Sequence, residues 1–499
     1  MKKKILALAL SAISLSSLAL SACGGMGNPP DYSDSNLQFE FYGYSAASTG
    51  EWTIDNVKYS AGEDFRTVER IKEYKEAGMS IYFPQHTAAY NGQDFETSTT
   101  KRALDMALEA GIDKVILTDP RIQQLSKTNG GLIGEGKQFA SEEELDALVA
   151  QYMEPYTSHE AFYGIMLGDE PFWRMAESYG QMFKAIKRVH PECFIQYNLN
   201  PITAGQDATK IDERFPPLEE GEGEGLSWKE IVALRYEKYL RAFMDATGAK
   251  YIQYDQYPMK KKNVIDEYYI YGLQQVAELA KEYEAEFYLV TQTYAQSDGN
   301  PNPRKLGMED LYWLNNMSLG FGIKQISYFT YWTKSDNNTE HFLDGYSFIT
   351  WYGERTKLYD YMKQIMAEEQ KIAPTILNFD YQTSKVFVKA PTVFNASHTD
   401  FIMDTQDFAV LESVEINKEV ALVTELHDDV KDYYMYMVQN IVDPVNKGSK
   451  AFQTTVLTFG EEYEYAALYE KGEQRLVKLD KGTLTLKHKP GEATYVIPY

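Results

Sequence analysis

Cysteine is nearly absent from this chain: 499 residues hold only Cys23 and Cys193. A disulfide-stapled fold is therefore excluded, and a chain of this length can build its core without staples. Histidine is also scarce, seven residues scattered singly with no His-Glu-x-x-His run. No zinc site is readable and no metal is expected. There is no P-loop and no Gly-x-Ser-x-Gly elbow, and no cofactor is implied. Basic charge is short as well, 49 Lys and Arg against 73 Asp and Glu. That balance excludes nucleic acid as a partner and broad electrostatic docking on anionic lipid. It suits a neutral ligand. No period of 20–50 residues repeats, which excludes solenoids and propellers.

The only long apolar run is N-terminal. Lys2-Lys3-Lys4 precedes the apolar stretch 5–20, and Leu20-Ser21-Ala22-Cys23 follows. This is the layout of a secretory signal, too short and too rich in Ser and Ala for a membrane span. The tetrapeptide resembles the lipobox of bacterial lipoproteins. The resemblance implies cleavage before Cys23 and lipidation of its thiol, so that the exported chain is lipid-anchored to the cell envelope and touches the membrane through Cys23 only. Residues 1–22 are then the signal and 23–36, rich in Gly, Pro, Ser and Asn, a flexible tether. The mature chain carries 46 basic and 73 acidic residues, a formal charge of −27. Cys193, in an apolar run, reads as a buried small hydrophobe.

From residue 37 to 376, strand-like runs alternate with amphipathic helices. Strands are expected at 37–45, 79–85, 112–119, 161–168, 193–198, 250–255, 287–292 and 325–331. Helices are expected at 64–77, 97–110, from Ser141 as cap, and at 172–189, 227–247, 264–285, 308–319 and 348–373. Two of the helices end Glu-Ala-Gly, a C-cap signal before a returning strand. Eight such units predict a (β/α)8 barrel, an α/β fold. A doubly wound sheet usually carries a Gly-rich turn after its first strand, and Tyr42-Gly-Tyr-Ser-Ala-Ala is not one. From 377 to 499 the pattern changes to short alternating runs between turns, which predicts an all-β sandwich.

Polar residues recur where the barrel strands end: Gln85 and His86, Asp119, Asp169-Glu170, Asn198 and Asn200, Asp255 and Tyr257, Gln292 and Tyr294, Tyr331-Trp332. That end of a barrel carries the chemistry, whereas the opposite face serves stability. Each residue also has a plainer use, Asp119-Pro120 as a turn start, Asn198 and Asn200 as loop caps. The loop 219–225 lacks the carboxylate spacing of a calcium loop, and 297–302 reads as a turn before it reads as a calcium site. Trp52 and the segment 123–137 are expected over the mouth.

Asp169-Glu170-Pro171 resembles the Asn-Glu-Pro acid/base signature of the clan A glycoside hydrolases, with Asp for Asn, and Trp332 matches the residue that floors their sugar site. The resemblance spans residues 37–499 in architecture but rests on few motifs. It implies a carbohydrate substrate, Glu170 as the general acid, and Asp169 orienting it and the sugar. One departure is visible. That clan places a nucleophilic Glu at the end of strand seven, where this chain has Gln292, and an amide cannot form the covalent intermediate of a retaining enzyme. Three alternatives stay open: Asp255 as base for an inverting reaction, attack by the substrate's own acetamide as in the family-twenty hexosaminidases, or sugar binding without cleavage. A solute-binding lipoprotein of a transporter fits the all-β tail badly.

Overall fold

The computed structural model describes residues 29–54, 57–260, 264–295, 303–333, 347–389, 403, 405–418, 420–447 and 452–499. The expected export signal 1–22, Cys23 and residues 297–302 lie outside them, as does the side chain of Trp52.

Eight parallel segments close into a ring in chain order. The first strand, Glu40–Gly43, pairs with the eighth, Ile323–Phe329, which pairs with the seventh, Glu286–Gln292; the seventh pairs with the sixth, Tyr251–Asp255. On the other side the third, Val115–Thr118, pairs with the fourth, Phe162–Asp169, and the fourth with the fifth, Phe194–Asn198. The two arcs join at both seams. Leu199 N donates to Gln253 O at 2.9 Å, linking the fifth strand to the sixth. At the second position Ser80 N reaches Phe41 O at 2.9 Å and Tyr82 N reaches Lys114 O at 2.8 Å. This is the (β/α)8 barrel that the sequence predicts.

The second strand is shorter than expected. Tyr82 makes a single parallel bridge to Val115. Pro84 then removes a ladder donor, and Gln85 turns out at φ +53 into a 3-10 turn, Gln85–Ala88. Other boundaries also move. The helix after strand four begins at Ala176 rather than 172, behind a 3-10 turn Trp173–Met175. The helix expected from 264 begins at Tyr269, because Met259–Lys260 and Val264–Ile265 pair as a hairpin. The last barrel helix is Lys357–Ile376, since Ile349 is held beside Trp332 by a parallel bridge. Ser141 precedes its helix, but its side chain makes no cap bond. Ser227 forms a full capping box with Glu230, and Gly248 ends that helix in the left-handed region at φ +64.

Beyond Ile376 the chain builds two antiparallel sheets. Six strands run in the spatial order Asp380–Val388, Val420–Asp428, Tyr433–Asn440, Ala493–Pro498, Tyr465–Glu470, Glu473–Lys478, and three in the order Leu411–Ile416, Gln453–Phe459, Thr483–His488. Side chains alternate across the larger sheet. Tyr436 and Val438 face the smaller sheet in a core with Leu457, Phe459 and Leu468. Met435 and Met437 point the other way into the barrel's own core. The sandwich is thus packed onto the barrel over one whole face. Approach there is close: a Cβ on Gly320 would sit 2.1 Å from Met437 Cε. Among the described residues no helix is long and apolar enough to cross a membrane.

Candidate active site

Asp169 ends strand four, and the chain then turns sharply. Glu170 sits in the left-handed region at φ +43, a conformation an L-residue adopts only when its surroundings hold it. Those surroundings are specific. Glu170 N donates to Asn198 O at 2.8 Å. Asn200 Nδ2 and the Tyr239 hydroxyl both donate to Pro171 O, at 2.8 and 2.9 Å. Gly168 lets the strand end pass over Tyr179, because a Cβ there would lie 1.7 Å from the Tyr179 hydroxyl.

Three carboxyls stand around this turn, near enough for their charges to act on one another. Asp169 is exposed, and Asn198 Nδ2 donates to its Oδ1 at 3.0 Å. Glu170 keeps 39% of its side chain open and pairs with Arg214 at 3.5 Å. Asp255, at the end of strand six, is only 3% exposed. The Glu170 and Asp169 carboxylates stand close enough for their charges to act on Asp255, and the Tyr257 hydroxyl and Asn198 amide lie on its other side.

The electrostatics follow from that crowding. Burial, then the Glu170 and Asp169 charges, hold the Asp255 carboxyl well above the ordinary carboxylate range, and its bonds from Tyr257 and Asn198 only partly offset this. Glu170 is raised too, first by the protein packed around its open end and then by Asp169, with Arg214 and Asp255 pulling the other way. Two neighbouring acids in a low-dielectric surrounding each hold a proton more tightly than they would in water. One of them is open to solvent, and an acid held protonated there can donate to a substrate oxygen.

The expected site residues separate into two groups. Asp169, Glu170, Asn198, Asp255 and Tyr257 come together. Tyr294 stands beside them, its ring 5.2 Å from Tyr257, and Asn200 lies behind, holding Pro171 and accepting from Arg214 at 2.9 Å. The others do different work. Asp119 caps the helix Pro120–Ser126, accepts from Arg121 and Tyr156, and has no exposed surface. Gln85 is buried and accepts from the Ser45 hydroxyl at 2.8 Å, while His86 is exposed on the same turn. Tyr331 is buried against Tyr74 and Phe348, at 4.7 and 5.3 Å, away from the carboxyls. Trp332 does not floor an opening: it is 2% exposed, packed against Phe65 at 4.9 Å with the Arg70 guanidinium 5.7 Å from its ring.

Gln292 is corrected most sharply. It is fully buried, and its amide is spent on backbone: Nε2 donates to Met259 O at 3.1 Å, Tyr294 O at 3.2 Å and Arg304 O at 3.4 Å, while Oε1 accepts from Met259 N at 3.0 Å. It clasps two loops and contacts no ligand space.

Sequence reasoning missed four residues. Arg214 and Tyr239 steady the Glu170 turn from loop and helix positions that carry no local signal. Tyr44 and Phe329 were readable, since both stand at barrel strand ends. Tyr44 accepts from Gln196 at 2.5 Å and stands near Asp169 and Asp255. Phe329 is partly open and packs on Tyr294 at 5.1 Å, Tyr257 at 5.6 Å and Tyr44 at 5.9 Å. It is the aromatic at this mouth that Trp332 was expected to be. Among the described residues no cluster of three or more His, Cys, Asp or Glu could hold a metal ion.

No family model and no curated protein sequence matches this chain. Solved structures do resemble it at low identity. A glycoside hydrolase family 5 protein from Bacteroides vulgatus is 10% identical with a TM-score of 0.49, over 93% of this chain and 89% of that one. An α-amylase from Anoxybacillus is 12% identical with a TM-score of 0.47, over 94% and 98%. A family 30 endoxylanase from Clostridium papyrosolvens is 10% identical with a TM-score of 0.39, over 93% and 97%.

Proposed function

We propose that this chain hydrolyses a glycosidic bond, with Glu170 as the general acid. The observation that carries the reading is a partly open Glu170 standing with Asp169 and a buried Asp255 at the C-terminal end of the barrel strands. Burial and the neighbouring Asp169 charge hold the Glu170 proton more tightly than an ordinary carboxyl holds its own. Tyr257 and Phe329, both partly open, offer ring faces beside it for a sugar, and Asn198 and Arg214 bond Asp169 and Glu170.

The nucleophile remains to be supplied. Gln292 cannot provide it, which leaves a water activated by Asp255 or the substrate's own acetamide. We favour the acetamide, because Asp169 is exposed beside Glu170 and bonded by Asn198, where it would align such a group. The favoured substrate is therefore a 2-acetamido sugar. Aryl glycosides with and without a 2-acetamido group separate the cases: the account expects turnover only of the acetamido set, and inhibition by a thiazoline analogue of the cyclised acetamide. Turnover of 2-hydroxy glycosides alone defeats the acetamide route.

A second reading, glycan binding without cleavage, draws on the same Gln292 clasp. It is supported if glycans bind and no glycoside is cleaved. The chain is further proposed to be an exported lipoprotein held to the cell envelope by lipid on Cys23. Labelled fatty acid incorporated into the wild type and not into Cys23→Ala tests this; equal labelling refutes it.

A further inference from the structure

We infer that Asp443, a sandwich residue, positions the barrel's site-bearing loop through Arg304. Arg304 is 7% exposed and Asp443 5%. The guanidinium grips the carboxylate with two prongs, NH1 to Oδ2 at 2.9 Å and NH2 to Oδ1 at 2.7 Å, and NH2 also reaches Asp310 Oδ1 at 2.8 Å. A paired, planar contact of this kind fixes orientation as well as distance. Asp443 is held in turn by Val445 N at 3.0 Å, and Asp310 by Gly307 N at 2.9 Å.

The other side of Arg304 leads to the site. Its N–H donates to Met259 O at 3.0 Å, and its own carbonyl accepts from the Gln292 amide that also clasps both backbone groups of Met259. Met259 is two residues beyond Tyr257, whose ring packs on Tyr294 at 5.2 Å and Phe329 at 5.6 Å beside Asp255, with the stiff Pro258 between them. Buried, directional contacts thus run from the sandwich through Arg304 to Met259, and the stiff backbone carries them on to the Tyr257 ring. Stability alone would be served by apolar packing in place of a buried ion pair. This geometry makes the C-terminal sandwich a working part of the barrel's mouth. Asp443 and Arg304 are positioning residues, since neither touches the carboxyls.

The inference rests on the hydrolytic reading only for its activity measurement. Three full-length variants are compared with the wild type: Asp443→Asn, Arg304→Lys, and Tyr436→Phe. The last removes a sandwich hydrogen bond to Glu425 at 2.6 Å and leaves Arg304 untouched. Amide hydrogen exchange is read over peptides spanning 255–260, and kcat and KM on whichever aryl glycoside the wild type cleaves. Asp443→Asn and Arg304→Lys should speed exchange over 255–260 about tenfold and lower kcat about tenfold with little change in KM. Tyr436→Phe should lower thermal stability without either effect. Unchanged exchange over 255–260 in Asp443→Asn overturns the inference, as does a Tyr436→Phe variant that reproduces both effects. If the wild type cleaves no glycoside, the exchange comparison decides alone, and that silence counts against the hydrolytic reading only.

Discussion

The side chain of Gln292 and the backbone of Met259 form a two-way clasp, Nε2 to O at 3.1 Å and N to Oε1 at 3.0 Å. At the strand end where a retaining clan A enzyme carries its nucleophile, this chain has a structural amide. Gln292→Glu should therefore fail to install a nucleophile. A carboxylate cannot donate to the carbonyls of Met259, Tyr294 and Arg304, and leaving buried acceptors unpaired costs about 1–3 kcal/mol each. Thermal denaturation should show a loss of several degrees, and a mechanism-based fluoroglycoside should trap no covalent adduct at residue 292. A trapped adduct would contradict this view of the clasp.

Arg214 lies 3.5 Å from the Glu170 carboxylate and favours its charged form. Replacing it with Met removes that pull, so the Glu170 proton is held to higher pH. The alkaline limb of the kcat profile should move upward in Arg214→Met. A downward or absent shift would mean that Glu170 is not the group titrating on that limb.

Asp119 shows how little a strand-end position guarantees. Its carboxylate caps a helix and holds Arg121 at 2.6 Å. Asp119→Ala should cost about 1–2 kcal/mol for the cap alone, visible as a fall in Tm, with kcat unchanged for the folded enzyme. A large kcat loss at full folding would return Asp119 to the site.

Much of the architecture was legible because hydrophobic period and cap chemistry are local. Gly78 and Gly111 close their helices as read, and Phe162–Asp169 and Phe194–Asn198 form almost where their apolar runs lie. Errors gather where a tertiary partner decides. The hairpin Met259–Lys260 with Val264–Ile265 displaces the start of a helix that periodicity alone would begin at 264. Side-chain direction was less legible still. Trp332 and Phe329 lie three residues apart on one connection, and only packing against Phe65 and Arg70, far off in sequence, buries the first and leaves the second open. The approach of Glu170 to Asp255 depends on two strand ends 85 residues apart in sequence, and no local pattern encodes it.

Glu369 sits between the last barrel helices, 6% exposed, with Asn315 donating to Oε1 at 2.9 Å and Oε2 unpartnered. Burial pushes its carboxyl up to about 8. The folded state therefore holds a proton that the unfolded chain releases near pH 4.5. Its contribution to stability is complete below that pH and is lost as pH rises toward 8, at roughly 1.4 kcal/mol per pH unit. Glu369→Gln should flatten the decline of denaturation midpoint between about pH 4.5 and 8. A decline as steep as in the wild type would rule out Glu369 as its source.

The central claim is that the acid at position 170 delivers a proton to a glycosidic oxygen. Turnover and ligand affinity of Glu170→Gln, measured on one preparation, test it most directly. The account predicts kcat lower by about a hundredfold to ten-thousandfold, with sugar affinity by calorimetry within a few-fold of wild type. A variant that keeps wild-type kcat on a glycoside the parent cleaves would contradict it.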